Sequence, residues 1–384
     1  MAGVLAAGPS RGTRAAEAAA PWRHIDWVLL VTVVLTSVFG VLMVYSATQN
    51  RLTLEGGDPQ QFLKRQAVFV VIGLCAMATA LAIDYRILRD FGPLLLAATC
   101  AVLVLVLSPL GSTSRGTQAW FQLGPFQLQP SEFAKVALIV ALAGFCAERR
   151  GELDLQNLGK AVGLGAIPIG LIYLQPDLGS SLVLVSITAG ILLVGGARPR
   201  HLAALVLVAA VGVVAVIQLG ILKEYQLDRL GAFLDPESDS QRSTYNLNQS
   251  KIAIGAGGLT GRGLFEGTQT NLSYVPEQHT DFIFTVVGEE LGLVGGAALL
   301  LGYALIIWRI WRAAALAKDL SGTLICVGVL TMLMFQIFEN IGMTMGIMPV
   351  TGIPLPFMSA GGSSTIAAFA AIGVVLNVHM RRFS

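Results

Sequence analysis

Residues 25–46 read IDWVLLVTVVLTSVFGVLMVYS, and after Asp26 the run carries no charge. An α-helix rises 1.5 Å per residue, so about 20 apolar residues cross the roughly 30 Å hydrocarbon layer of a bilayer. An Ala-rich stretch with Arg11, Arg14 and Arg23 precedes the run and resembles the start of a secretory leader. The apolar run is too long for a leader and lacks a clear small-x-small exit, so it reads as a retained first span. Comparable runs recur at about 66–83, 91–108, 129–147, 161–176, 177–195, 202–222, 283–308, 321–346 and 361–379. The run at 161–176 is the weakest, being short and interrupted by Pro168. The pattern predicts an all-α integral membrane protein with ten transmembrane helices.

Composition points the same way. Of 384 residues, 54% are hydrophobic and only 12% charged, with a mean hydropathy of +0.71. Soluble proteins carry about 25% charged residues. A soluble globule cannot hide this much apolar surface, because single cores stop growing near 250–300 residues. A soluble enzyme, a disordered chain, collagen and a coiled coil are thereby excluded. The formal charge of +2 leaves no basic excess that would point to nucleic acid. Cys75, Cys100, Cys146 and Cys326 all lie inside apolar runs without metal-ligand spacing, and read as reduced core residues.

Lys and Arg placement sets the orientation. With the N-terminus in the cytoplasm, 15 of the 25 basic residues fall in inside segments, four in short outside loops and five in one long outside loop. Only Lys135 is left within a span. Both termini are then cytoplasmic. Residues 1–24 are expected to be a disordered tail, and residues 25–380 a single membrane domain. The outer loop at 223–282, between the seventh and eighth spans, is far longer than the usual 2–8 residues between bundled helices, which predicts a functional segment. It carries an amphipathic piece with Ile252, Ile254 and Leu259. A second outer loop, 109–128, holds Trp120, Phe121 and Phe126, as suits a segment in the membrane interface.

Ionisable residues inside spans are functional candidates by default. Four clusters qualify. In QPSEFAK, Gln129 to Lys135, Pro130 and Ser131 read as a helix start. Glu132 and Lys135 share one helix face there, either as a structural ion pair or as a site for an anionic headgroup. In QPDLGSS, Gln175 to Ser181, Asp177 is either a helix cap or a carboxylate facing the same cavity. In PEQHTDFIFTVVGEELG, Pro276 to Gly292, Asp281 stands at the mouth of the eighth span beside His279 and Thr280, either as a helix cap or as a functional carboxylate. Glu289 and Glu290 follow about 12 Å deeper and read as pairing within the bundle. The fourth cluster has Gln336, Glu339 and Asn340 on one inward stripe, followed by GIMPVTGIPLPFMSAGGSS, Gly346 to Ser364. That proline- and glycine-rich stretch predicts non-helical backbone, which survives at membrane depth only where buried in protein or lining a wet cavity. GAGGLTGRG, Gly255 to Gly263, misses the GxGxxG phosphate pattern and its strand–helix context. The N-x-S sequons at Asn248 and Asn271 are too common by chance to weigh.

These clusters, in this order, resemble the SEDS family of bacterial membrane proteins (shape, elongation, division and sporulation), from about Trp27 to Met380. Gly267 to Gln269, reading GTQ, and Gln278 look like the RodA branch, since the division branch, FtsW, more often has Ala in place of that Gln. Ala360 departs from the family, which usually has an aromatic residue there. The resemblance implies a ten-helix fold in the bacterial cytoplasmic membrane. It also implies peptidoglycan glycosyltransfer from lipid II, with a class B penicillin-binding protein and other elongation-complex proteins as partners. The family's essential Asp maps onto Asp281, its supporting Glu and Lys onto Glu132 and Lys135, and its QPD carboxylate onto Asp177.

Joining a sugar hydroxyl to C1 of a lipid-linked donor needs a base for the hydroxyl and positive charge for the pyrophosphate that leaves. Asp281 is the candidate base. Lys135 and Arg65 are the candidate cations, and His279 and Thr280, beside Asp281, are candidate supporting residues. A divalent cation, magnesium or manganese, is a further candidate, with Glu132, Asp177 and Asp281 to hold it. No organic cofactor is expected. The rival from another class is a lipid II flippase. It is disfavoured because the polar groups gather at the outer face instead of crossing the bilayer.

Overall fold

The computed structural model describes residues 21–114, 117–124, 126–149, 153–218 and 242–383. Most of the predicted tail, residues 1–20, and the stretch 219–241 of the long outer loop lie outside the described residues. The chain enters through a short 3-10 turn, Pro21–His24. Helix α1 runs Trp27–Leu54, α2 Gln61–Ala82, the short α3 Tyr85–Asp90 and α4 Gly92–Val106. Helices α5 Pro130–Glu148, α6 Leu155–Leu174, α7 Leu178–Val194 and α8 Pro199–Gln218 follow. After the undescribed stretch come α9 Arg242–Gly257, the single turn α10 Thr268–Asn271, α11 Ile283–Ala315, α12 Leu320–Met345 and α13 Gly362–Met380.

Seven of these helices are long and apolar enough to cross a membrane, and the protein is a multi-pass membrane protein. Three further apolar stretches, α4, α7 and the Pro199–Gly212 part of α8, occupy the third, sixth and seventh predicted runs. Pro168 does not interrupt its run as expected: α6 is 20 residues long with Pro168 inside it. Asp side chains start five of the helices by accepting a first-turn N–H. They are Asp26 from Leu29, Asp84 from Arg86, Asp154 from Asn157, Asp177 from Ser180 and Asp319 from Gly322. Each satisfies a donor that the helix itself cannot.

The all-α expectation needs one amendment. Within the predicted interface segment, residues Ser112–Ser114 (β1), Thr117–Leu123 (β2) and Phe126–Leu128 (β3) form a three-stranded antiparallel sheet in that order. Core packing centres on α5, α12 and α13, whose side chains are mostly buried. Helix α13 lies along α2, closely enough that a Cβ on Gly73 would meet the Phe369 ring at 2.5 Å. Small residues at such crossings let membrane helices pack by close contact.

Helix α11 is broken at Gly292, whose φ of 62° and ψ of −158° leave the helical region. A break in a spanning helix orphans backbone groups that the bilayer cannot satisfy. Here the glycine-rich segment after α9 supplies them. Arg262 and Gly263 N–H donate to the Glu289 and Glu290 carbonyls at 3.0 Å each. In return, Leu293 and Val294 N–H donate to the Gly258 and Leu259 carbonyls at 2.9 and 3.1 Å. GAGGLTGRG therefore serves as a backbone splint.

Candidate active site

The proline- and glycine-rich stretch after α12 is non-helical from Ile347 to Gly361, as its composition predicts, and from Ile353 to Ser359 it is mostly buried in the protein. Ile353, Leu355, Phe357 and Met358 are buried. Its shape is held by side chains from three directions. Tyr303 Oη donates to the Pro356 carbonyl at 2.5 Å, and Gln66 Nε2 to the Ser359 carbonyl at 3.2 Å. Asn340 Nδ2 donates to the Ile353 carbonyl at 2.8 Å.

The same Asn340 amide group also donates to the backbone carbonyl of Asp281, at 2.8 Å. One side chain thus ties the loop to the residue at the mouth of α11. Gly352 is left-handed, with φ of 78°, and a Cβ placed on it would stand 3.4 Å from Asp281 Oδ2. Glycine adopts that backbone at little cost, and the carboxylate lies beside the loop there. Just upstream, the His279 carbonyl accepts from Ala360 N–H at 2.9 Å. Ala360 thus joins the loop to this segment through its backbone, although its side chain departs from the family pattern. The His279 ring packs edge-on against Phe62, centroids 4.7 Å apart. Thr280 Oγ1 donates to the Glu277 carbonyl at 3.2 Å.

A cavity of about 430 Å³ opens beside this junction. All seven site residues expected from the sequence line it: Arg65, Glu132, Lys135, Asp177, His279, Thr280 and Asp281. Lys135 and Glu132 are buried and paired at 2.6 Å. Asp177 serves both of its readings, since Oδ1 caps α7 and Oδ2 accepts from Gln129 Nε2 at 3.1 Å. Arg65 is half-buried, its guanidinium 5.7 Å from the centre of the Phe69 ring. Thr117 and Trp120 of β2 form part of the wall, so this sheet borders the cavity as well as holding the aromatics expected at the interface.

Five helices begin at the cavity. Arg65 lies near the start of α2, Glu132 in the first turn of α5, Asp177 before α7, Asp281 before α11 and Gly361 before α13. Helix starts carry partial positive charge, so they add to Arg65 and Lys135 and offset the three carboxylates. The arrangement suits a ligand with a compact negative group. Glu289 and Glu290 do not reach this wall. Glu289 accepts from Gln269 N at 2.7 Å and Thr270 N at 2.9 Å, so it caps α10, and Glu290 bonds Ser46 Oγ. Among the described residues, no three His, Cys, Asp or Glu side chains are grouped to hold a metal ion. Glu132, Asp177 and Asp281 share the cavity without forming such a group.

Sequence reasoning missed Gln66, which lines the cavity and also accepts from Gly361 N–H at 3.2 Å. Its signal was present: a buried glutamine in an apolar run, the same anomaly that marked Glu132.

A family model for FtsW, RodA and SpoVE, described as cell cycle protein, matches residues 26–383. Stage V sporulation protein E of Bacillus subtilis (strain 168) is 38% identical over 356 residues, covering 92% of this chain and 96% of its own. Peptidoglycan glycosyltransferase MrdB of Escherichia coli (strain K12) is 37% identical over 360 residues, 94% of each chain. A solved chain described under "Structural coordination of polymerization and crosslinking by a peptidoglycan synthase complex" matches with a TM-score of 0.78. It is 33% identical, covering 94% of this chain and 99% of that one. With the family model spanning nearly the whole chain, and relatives and a solved structure agreeing along its length, this protein belongs to the FtsW/RodA/SpoVE (SEDS) family.

Proposed function

We propose that this chain is a peptidoglycan glycosyltransferase that polymerises lipid II at the outer face of the bacterial cytoplasmic membrane. The observation that carries the reading is the single cavity in which Asp281 meets Arg65 and Lys135 at the starts of five helices. The name of MrdB and the description of the synthase complex support the reaction class.

In this reading ten helices cross the bilayer, with both termini inside. All five helices that begin at the cavity are even-numbered crossings, so each starts on the outer side. The prenyl chain of lipid II stays in the bilayer while its sugars reach the cavity. Asp281 takes the proton of the acceptor's GlcNAc 4-hydroxyl as that oxygen bonds to C1 of the donor's MurNAc. The bond from C1 to the pyrophosphate breaks with inversion, and undecaprenyl pyrophosphate leaves with the electron pair. Arg65, Lys135 and the helix starts stabilise the charge that develops. Glu132 holds Lys135 in place.

A class B penicillin-binding protein is the proposed partner, supported by the described coupling of polymerisation to crosslinking. The elongation role rests on Gly267 to Gln269 and Gln278, since identity to the sporulation relative and to MrdB is nearly equal. Gln278 is buried, its Nε2 donating to the Ala47 and Thr270 carbonyls at 2.9 Å each. Purified protein given fluorescent lipid II in detergent should form glycan chains. Lipid II bound but never joined would contradict a polymerase and favour a flippase, which needs a membrane to act across.

A further inference from the structure

At the end of the bundle away from the active site, three segments far apart in sequence close around a second cleft of about 320 Å³. Arg23 comes from the approach to α1, Arg309 and Arg312 from the last turns of α11, and Arg382 from the exit of α13. One carboxylate, Asp26, faces these four arginines. It is already engaged, accepting from Arg309 Nη2 at 2.6 Å and from Leu29 N–H at 3.0 Å. The remaining cations stand close together: burial, and then Arg312 and Arg309, pull the Arg382 guanidinium below its ordinary value.

The surroundings fix the depth of the cleft. Trp27, which lines it, is 62% exposed, and Trp308 and Trp311 beside the two α11 arginines are 47% and 58% exposed. Exposed tryptophans on a membrane protein mark the headgroup level, where an apolar ring meets lipid and its N–H meets water. Arg309 and Arg312 each lie over the Trp308 ring, at 5.4 and 5.8 Å. The result is an open cationic cleft at headgroup depth, with its one carboxylate paired to Arg309 and Arg23, Arg312 and Arg382 beside that pair.

We propose that this cleft binds the phosphodiester headgroup of an anionic phospholipid. Guanidinium groups converge on phosphate oxygens through paired N–H donors, and basic pockets between membrane helices are suited to such headgroups. That the lipid comes from the cytoplasmic leaflet rests on the orientation proposed above; the binding itself does not.

The test uses the full chain in neutral detergent, with native mass spectrometry after titration of phosphatidylglycerol or phosphatidylcholine. The wild type should retain phosphatidylglycerol in preference to phosphatidylcholine, and excess inorganic phosphate should not displace it. R312Q with R382Q should weaken phosphatidylglycerol binding about thirtyfold, roughly fivefold per arginine. Each single variant should show its own roughly fivefold loss, which keeps the test decisive if the double variant does not survive purification. Replacing both by Lys should retain most of the binding. R198Q with R200Q removes two exposed arginines outside the cleft, and should leave binding within about twofold. Equal losses from the two Gln pairs would reduce the effect to general surface charge and overturn the proposal. Displacement by inorganic phosphate would overturn the lipid as ligand. Because no lipid II is used, failure here leaves the polymerase reading untouched.

Discussion

Lys135 and Glu132 face each other at 2.6 Å with almost no solvent to screen them. Breaking a buried pair from one side leaves an uncompensated charge, at a cost of about 3–5 kcal/mol. Lys135→Ala and Glu132→Ala should therefore each abolish most polymerisation, by about 100-fold or more. The double variant should be little worse than either, as for groups in one network. A double-mutant cycle on rates at equal membrane levels checks this, and losses that multiply would mean two separate sites. Asn340 is the second residue to test. Asn340→Ala orphans the carbonyls of Asp281 and Ile353, each worth about 1–3 kcal/mol when buried. Thermal unfolding in detergent should drop, and activity should fall further than stability alone accounts for; full activity would show that Asp281 needs no such anchor. The sequence marked Asn340 as a polar group in a span. It could not show the partner, because Asn340 lies 59 positions from Asp281 and both acceptors are backbone carbonyls.

At the scale of elements, the least legible feature is the splint across the break in α11. The glycines of GAGGLTGRG are plain in the sequence, but their target is another helix, and a pattern read along one segment cannot name it. The short sheet was missed for a related reason. Two of the strands have three residues, too short to build a period, and the seven of β2, TQAWFQL, do not alternate apolar with polar, so their pairing decides them. The splint makes a sharp prediction. Gly261 has φ of +81°, and a Cβ there would lie 2.0 Å from the Glu290 carbonyl oxygen. Gly261→Ala should lower stability by at least about 1–2 kcal/mol from the backbone alone. Gly255 is helical with open space around it, so Gly255→Ala should be neutral or stabilising by up to about 1 kcal/mol. Similar unfolding temperatures for the two variants would contradict the splint.

The whole molecule was legible where the bilayer acts on each segment alone. A spanning helix must be apolar and, where it is unbroken, satisfies its own backbone, so the apolar runs can be counted from one sequence. The site was legible as a set of anomalies: charges where hydrocarbon should be. What the sequence did not contain was their meeting, which depends on five helix starts and the loop before α13 closing on one cavity. The central claim is that this cavity is where lipid II is joined, with Asp281 as base. Asp281→Asn keeps the side-chain volume but cannot accept the proton, and a positioned base is worth about 10²–10⁴-fold. The most direct measurement compares the length distribution of glycan chains made from lipid II by the purified wild type and by Asp281→Asn, with lipid II binding measured on both. The account predicts polymer from the wild type and none from the variant, at similar lipid II binding; polymer from Asp281→Asn at the wild-type rate would contradict it.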